Sequence, residues 1–257
     1  MRDEVRMSPE IIVSNAVSRS FGSFTAIDKV SLTVREGQFI TIVGPSGCGK
    51  STLLQILAGL VAPSDGEVQI DGERLNGPRP DKIGMVFQEP LLLPWKTAAE
   101  NVEFPLLLRH VAANQRRERS LALLDLVGLA GSVDKYPHQL SGGMKQRVAI
   151  ARGLVQNPRI VLMDEPFAAL DEQTRSRMWG ELLRIWERTH ATILFVTHGL
   201  LEAIYLADTV LVMGTNPGRI IAHIDVPLPR PRTYDMIGSV EAGQLRNHIW
   251  ELVASGQ

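Results

Sequence analysis

The 257 residues are 44% hydrophobic, and 27 Lys and Arg face 28 Asp and Glu. Such a chain buries a core as one large α/β domain or two small ones, and it lacks the basic excess of a phosphate-backbone binder, which argues against nucleic acid as a partner. The single cysteine, Cys48, excludes an internal disulfide, and the six histidines show no metal-ligand spacing.

The opening MRDEVRMSPE is charged where a signal peptide is apolar, and the longest apolar runs, such as Ile56 to Ala62, fall short of the ~20 residues that cross a bilayer. A reducing, cytoplasmic setting is expected. From Ile11 to Val34 short alternating apolar runs, broken at Phe21-Gly22-Ser23, predict antiparallel strands. GQFITIVG then reads as a buried strand, GKSTLLQILAGL as a helix, GEVQIDG and KIGMVFQ as strands. The stretch from Ala98 to Gln156 is helical in pattern. RIVLMDEP, ATILFVTH and TVLVMG are further strands, separated by an amphipathic helix over Glu172 to Arg188 and a helix ending at Leu206. Alternating β and α elements with apolar strands predict a mostly parallel sheet. We expect a domain over residues 1–225 with a helical subdomain at about 89–157. Beyond the extended PLPRPR stretch, a tail over 226–257 carries one short helix ending near Leu252.

GPSGCGKS, Gly44 to Ser51, lies between a predicted strand and a predicted helix, the context of a phosphate-binding loop. Gly44, Gly47 and Gly49 let backbone N–H groups turn toward phosphate oxygens, and the helix adds its positive end. Lys50 places a cation on the β- and γ-phosphates, and Ser51 offers a hydroxyl to Mg²⁺. Cys48 sits in this loop at what reads as a tolerant position.

Asp164 and Glu165 close an apolar strand at the end where open α/β sheets hold ligands. One carboxylate can hold Mg²⁺ through water and the other can take a proton from the attacking water or orient it. His198 and Gln88 end two other strands: an imidazole there reaches a phosphate or water, and an amide reaches Mg²⁺ or water. Phe21 either stacks on a base or belongs to the core, and Asp171 reads as a helix N-cap.

Taken in order, GPSGCGKST, Gln88, LSGGMKQR, LMDEPFAALD and His198 resemble the ATP-binding subunit of an ABC transporter, over about Ile11 to Arg219. LSGG is that family's signature. The resemblance implies a P-loop NTPase of ABC type, an α/β fold with a mostly parallel sheet core, an N-terminal antiparallel β subdomain and a helical subdomain. It implies Phe21 as the adenine-stacking aromatic, and Gly44, Pro45, Ser46, Gly47, Cys48, Gly49, Lys50, Ser51 and Thr52 as the ATP-binding loop. Ser51, Gln88 and Asp164 then serve Mg²⁺, Glu165 is the catalytic base, Asp171 a cross-dimer contact and His198 the γ-phosphate switch. Leu140, Ser141, Gly142, Gly143 and Gln146 form the signature. One nucleotide has one triphosphate, so a second glycine-opened helix is surplus unless it serves the nucleotide of another copy. The family pattern departs at Gly199, where Asp usually follows the histidine.

The implied setting is a homodimer on the cytoplasmic face of the inner membrane, with ATP and Mg²⁺, two transmembrane permease subunits and a periplasmic or lipid-anchored substrate-binding protein. EPLLLPW and the MGTNPGRI turn are most similar to importers of nitrate, sulfonates and taurine, with thiamine-precursor systems as an alternative. The length leaves no room for the large regulatory domain of sugar importers. A non-transport ABC ATPase is a further alternative, although its usual heptad insert or second cassette is lacking. A P-loop kinase or GTPase would leave LSGGMKQR and His198 unexplained.

Overall fold

The computed structural model describes residues 8–256, so most of MRDEVRMSPE lies outside the described residues. The chain divides into two compact units, Met1–Arg79 with His190–Gln257, and Pro80–Thr189.

The first unit opens with β1 (Glu10–Phe21) and β2 (Phe24–Arg35), followed by β3 (Phe39–Val43), α1 (Lys50–Leu57), β4 (Asp65–Ile70) and the two-residue β5 (Glu73–Arg74). The expected hairpin forms, with Phe21 opposite Phe24, and β4 pairs antiparallel on the other side of β1. Register slips between Ser14 and Val17 and again before Arg19 break the β1 ladder. Serine hydroxyls repair it. Ser14 Oγ accepts from Leu32 N–H at 3.0 Å and donates to Val30 O at 3.3 Å, Ser31 Oγ accepts from Ala16 N–H, and Ser18 Oγ accepts from Lys29 N–H.

The second unit contains β6 (Ile83–Val86), α2 (Ala98–Leu108), α3 (Ala113–Leu126), α4 (Gly142–Leu154), β7 (Ile160–Asp164) and α5 (Glu172–Thr189). β6 and β7 pair in parallel, Ile83 opposite Ile160. α2 starts on a complete capping box between Thr97 and Glu100 and packs on α3 and α4. α5 buries Met178, Leu182 and Ile185 on one stripe, with Trp179, Leu183 and Trp186 beside it, the helical period seen in the sequence.

The chain returns to the first unit with β8 (Thr192–Val196), α6 (Leu200–Leu206), β9 (Thr209–Gly214), β10 (Arg219–Asp225) and α7 (Val240–Ser255). β3 lies parallel between β8 and β9. All five of its residues are buried, as a strand covered on both faces demands. β10 is antiparallel to β9 and was not expected: its Ile220, Ala222 and Ile224 are only half-buried, and the adjacent Ile221 faces solvent and masks the alternation. α7 is longer than the short helix expected, and it packs back on α6 and β9 through Ala242 and Ile249.

Ser14→Ala removes a buried hydroxyl that supports two backbone groups, and should cost about 1–3 kcal/mol. A lower urea midpoint at unchanged m-value is the expected result.

Candidate functional site

β3 delivers the chain into GPSGCG with the backbone pressed against its neighbours. A Cβ on Gly44 would strike Met213 O and lie 2.9 Å from Cys48 Sγ, and one on Gly49 would strike Ile27 and lie 2.9 Å from Ala26 O. No side chain fits at either position. Gly47 has open space around it but a φ of +80°, so there the need is conformational.

Lys50, the first residue of α1, is 6% exposed, and its Nζ donates to Gly44 O and Pro45 O, each at 2.9 Å. The loop's carbonyls thus solvate a cation that burial would otherwise penalise. α1 has no side-chain cap and no acidic residue in its first turn, which leaves its positive end for an anion. Ser46, Gly47 and Ser51 are exposed around it, and Pro45 and Thr52 half-buried.

Cys48 is not the tolerant position expected. Its side chain is buried, its N–H donates to Pro45 O at 3.3 Å, and burial pushes its thiol pKa up against the pull of Lys50. It serves the loop through its backbone and its volume.

Phe21 is exposed, not core, with the Arg19 guanidinium carbon 4.6 Å from its ring centroid. That places an open aromatic surface at the hairpin tip, with a cation over the ring. His198 is exposed just past β8. Beside it Thr197 Oγ1 accepts from Gly199 N–H at 2.9 Å and bonds the Glu202 carboxylate, so this turn is fixed without an aspartate at 199.

In the second unit, Asp164 ends β7 nearly buried, and Glu165 follows with a φ of +42°. A left-handed glutamate is strained by roughly 1–3 kcal/mol and marks a position the surroundings impose. Gln88 is exposed two residues beyond β6. Asp171 is the expected N-cap: its carboxylate accepts from Thr174 N–H at 2.9 Å, a bond that holds its pKa below the usual range.

The signature residues part company. Ser141 and Gly142 are exposed at the start of α4, and Ser141 Oγ accepts from Met144 N–H at 3.3 Å. A Cβ on Gly142 meets nothing within 4 Å. Leu140 is buried, and a Cβ on Gly143 would come within 2.9 Å of the buried Leu170. Gln146 is 1% exposed and donates to Phe87 O at 3.2 Å. The side chain of Gln146 is therefore a tether on the strand-end backbone next to Gln88, and only the Ser141-Gly142 corner is open.

Two residues that the sequence did not single out build the segment after Gln88. Arg152, on α4, donates to Pro90 O at 2.6 Å and to Leu91 O at 2.7 Å, and Leu91 is held at a φ of +45°. Asn101, fully buried on α2, accepts from Leu93 N–H and donates to the carbonyls of Leu93, Lys96 and Thr97. Leu91 and Trp95 stay exposed on this clamped loop, Trp95 at 70%. Nothing in residue spacing signals such contacts, because their partners are main-chain atoms.

Residues 27–168 match the family model of the ABC transporter. The chain belongs to the ABC transporter family. It is similar to the nitrate import ATP-binding protein NrtD of Synechocystis sp., 46% identical over 81% of this chain and 78% of the relative. It is 44% identical to the bicarbonate transport ATP-binding protein CmpD of the same organism, over 94% of this chain and 86% of the relative. The aliphatic sulfonates import ATP-binding protein SsuB of Bacillus cereus is 43% identical over 86% of each. Among solved structures, a dimeric ATP-binding cassette in a post-hydrolysis state bound to ADP and Pi is 35% identical, with a TM-score of 0.77 over 85% of this chain and all of that one. The chain is thus an ABC ATPase whose hydrolysis of ATP to ADP and phosphate is coupled to transport. Among the described residues no helix is long and apolar enough to cross a membrane.

Asn101→Leu removes the side-chain partner of Leu93 N–H and of Lys96 O, while Leu93 O and Thr97 O keep bonds from Lys96 N–H and Asn101 N–H, and it should lower stability by about 1–3 kcal/mol. Faster amide exchange at Leu93, against unchanged exchange in β7, is the accompanying readout.

Proposed function

We propose that the chain energises an importer of a small anionic or zwitterionic solute of the nitrate, alkanesulfonate or taurine type. Two copies meet head to tail and hold two ATP molecules between the Lys50 loop of one and the Ser141-Gly142 corner of the other. The observation that carries this reading is the open start of α4. It is a solvent-facing helix N-terminus with no side chain at Gly142, in a chain that already has a phosphate loop of its own curled on Lys50 before the uncapped start of α1. The relatives named for nitrate import, bicarbonate transport and sulfonate import support the solute class.

In this reading Lys50 and the loop N–H groups bind the β- and γ-phosphates, and Phe21 stacks on the adenine. Glu165 orients the attacking water and takes its proton, His198 reads the γ-phosphate, and Asp171 touches the partner copy. Ser51, Gln88 and the Asp164 carboxylate supply the hard oxygen donors that Mg²⁺ takes, and their chemistry fits it. When bound, the ion neutralises charge on the β- and γ-phosphate oxygens. The exposed Leu91 to Trp95 loop, clamped from within by Arg152 and Asn101, is the surface for the permease. Two permease subunits and a substrate-binding protein complete the importer, at the cytoplasmic face of the inner membrane.

Glu165→Gln should retain ATP and accumulate as an ATP-bound dimer by light scattering; a persistent monomer with rapid hydrolysis contradicts the mechanism. Gly142→Asp is a cleaner probe of the second copy than a change at Gly143, which packs on Leu170. It should leave the thermal midpoint and trinitrophenyl-ATP binding unchanged while hydrolysis falls by ~10²-fold or more. Equal loss of binding would mean that α4 serves its own chain.

A further inference from the structure

We propose that the tail segment Arg230-Pro231-Arg232 is a brace that positions His198 by gripping the far end of α6. The inference rests on the reading of His198 as the residue that senses the γ-phosphate. α6 begins two residues after His198 and is seven residues long, too short to hold its own geometry. Its last turn contains no basic residue, and Ala207 beyond it is extended. Ala207 N–H closes the last intrahelical bond to Ala203 O at 3.0 Å, and the helix has no side chain of its own for the carbonyls that follow.

The tail supplies what is missing. Arg232 is 7% exposed, and its Nη1 donates to Ile204 O at 2.9 Å, Tyr205 O at 2.9 Å and Ala207 O at 2.6 Å. Tyr205 returns a bond from its hydroxyl to Arg232 O at 3.3 Å. Arg230 donates to Leu206 O at 2.8 Å and, through Nε, to Asp208 Oδ1 at 2.9 Å. The other oxygen of Asp208 accepts from the N–H of Phe39, the first residue of β3, at 2.9 Å. Two guanidinium ions therefore sit at the negative end of one two-turn helix, where cation and carbonyls attract. Through Asp208, Arg230 also ties that helix to the strand that leads into the Lys50 loop. His198, at the other end of α6, inherits its position from this grip, so Arg232 and Arg230 are positioning residues for the switch.

ATPase assays on the full chain assembled with its permease, with trinitrophenyl-ATP binding alongside, test the brace. Arg232→Met keeps the aliphatic stem and removes the donors. We expect kcat to fall ~10–100-fold with KM and nucleotide Kd within about twofold, and part of the rate to return in Arg232→Lys. Combined with His198→Ala, Arg232→Met should lower kcat no further than His198→Ala does alone. Losses that multiply, or a normal kcat in Arg232→Met beside an inactive His198→Ala, overturn the brace. Normal hydrolysis in His198→Ala alone overturns the reading of His198, so the two failures are told apart. Should Arg232→Met not fold, Arg232→Lys and Tyr205→Phe carry the comparison, and an unchanged kcat in both overturns the proposal.

Discussion

The first unit is organised by a buried ammonium ion. Lys50 has left bulk water, and a cation that does so must find oxygen close by. It finds the carbonyls of Gly44 and Pro45, six and five residues earlier, which forces the intervening chain to curl around Nζ. A trans peptide points its N–H opposite to its C=O. Turning the Pro45 carbonyl toward the ammonium therefore turns the Ser46 N–H away from it. The absence of Cβ atoms at Gly44 and Gly49 follows from the same curl, because the loop backbone then lies against Met213, Ala26 and Ile27. Even the burial of Cys48 belongs to this arrangement: its sulfur lies 3.8 Å from Nζ.

Arginine does for the rest of the chain what the loop does for lysine. Arg147 donates to Val127 O, Arg152 to Pro90 O and Leu91 O, Arg175 to Leu170 O, and Arg232 to three carbonyls of the α6 end. These are bonds from a charged donor to main-chain oxygen, stronger than neutral ones, and the planar fork reaches two acceptors at once. Burial lowers the pKa of Arg152 from its ordinary value, and a guanidinium remains charged under such a shift where an ammonium is far easier to deprotonate. The near-zero net charge thus conceals a specific use of cations: several are consumed in holding loops, and the total says nothing of it.

That use also sets how much was legible in the sequence. The buried strand over Phe39–Val43, the glycine pattern of the loop, the Asp164-Glu165 pair and the α5 stripe are local patterns, and one element suffices to read each. Gln88 and His198 were read from their places at strand ends, and family resemblance narrowed their roles, which geometry within either unit leaves untouched. Arg152, Asn101, Arg230 and Arg232 were not legible, since each recognises backbone atoms that carry no sequence signal. β10 was missed for a related reason: an edge strand with half-buried residues leaves only a faint alternation. Gln146 was read as part of the signature, but its position on α4 points its side chain into the second unit, toward Phe87 O.

The departure from family pattern at Gly199 has a physical resolution in the same terms. An aspartate after His198 would sit at the helix N-cap, where its carboxylate could accept from the first-turn N–H groups. Gly199 is the N-cap residue and provides no side chain for this. Thr197 compensates from two residues upstream: its hydroxyl accepts the Gly199 N–H and engages the carboxylate of Glu202, the third residue of α6. This resembles a capping box displaced by two positions, with the glutamate in its usual place. α6 is then pinned at its start by Thr197 and Glu202 and at its end by Arg230 and Arg232, and almost none of its order comes from helix propensity. A short helix pinned at both ends in this way keeps one orientation as long as those contacts stand.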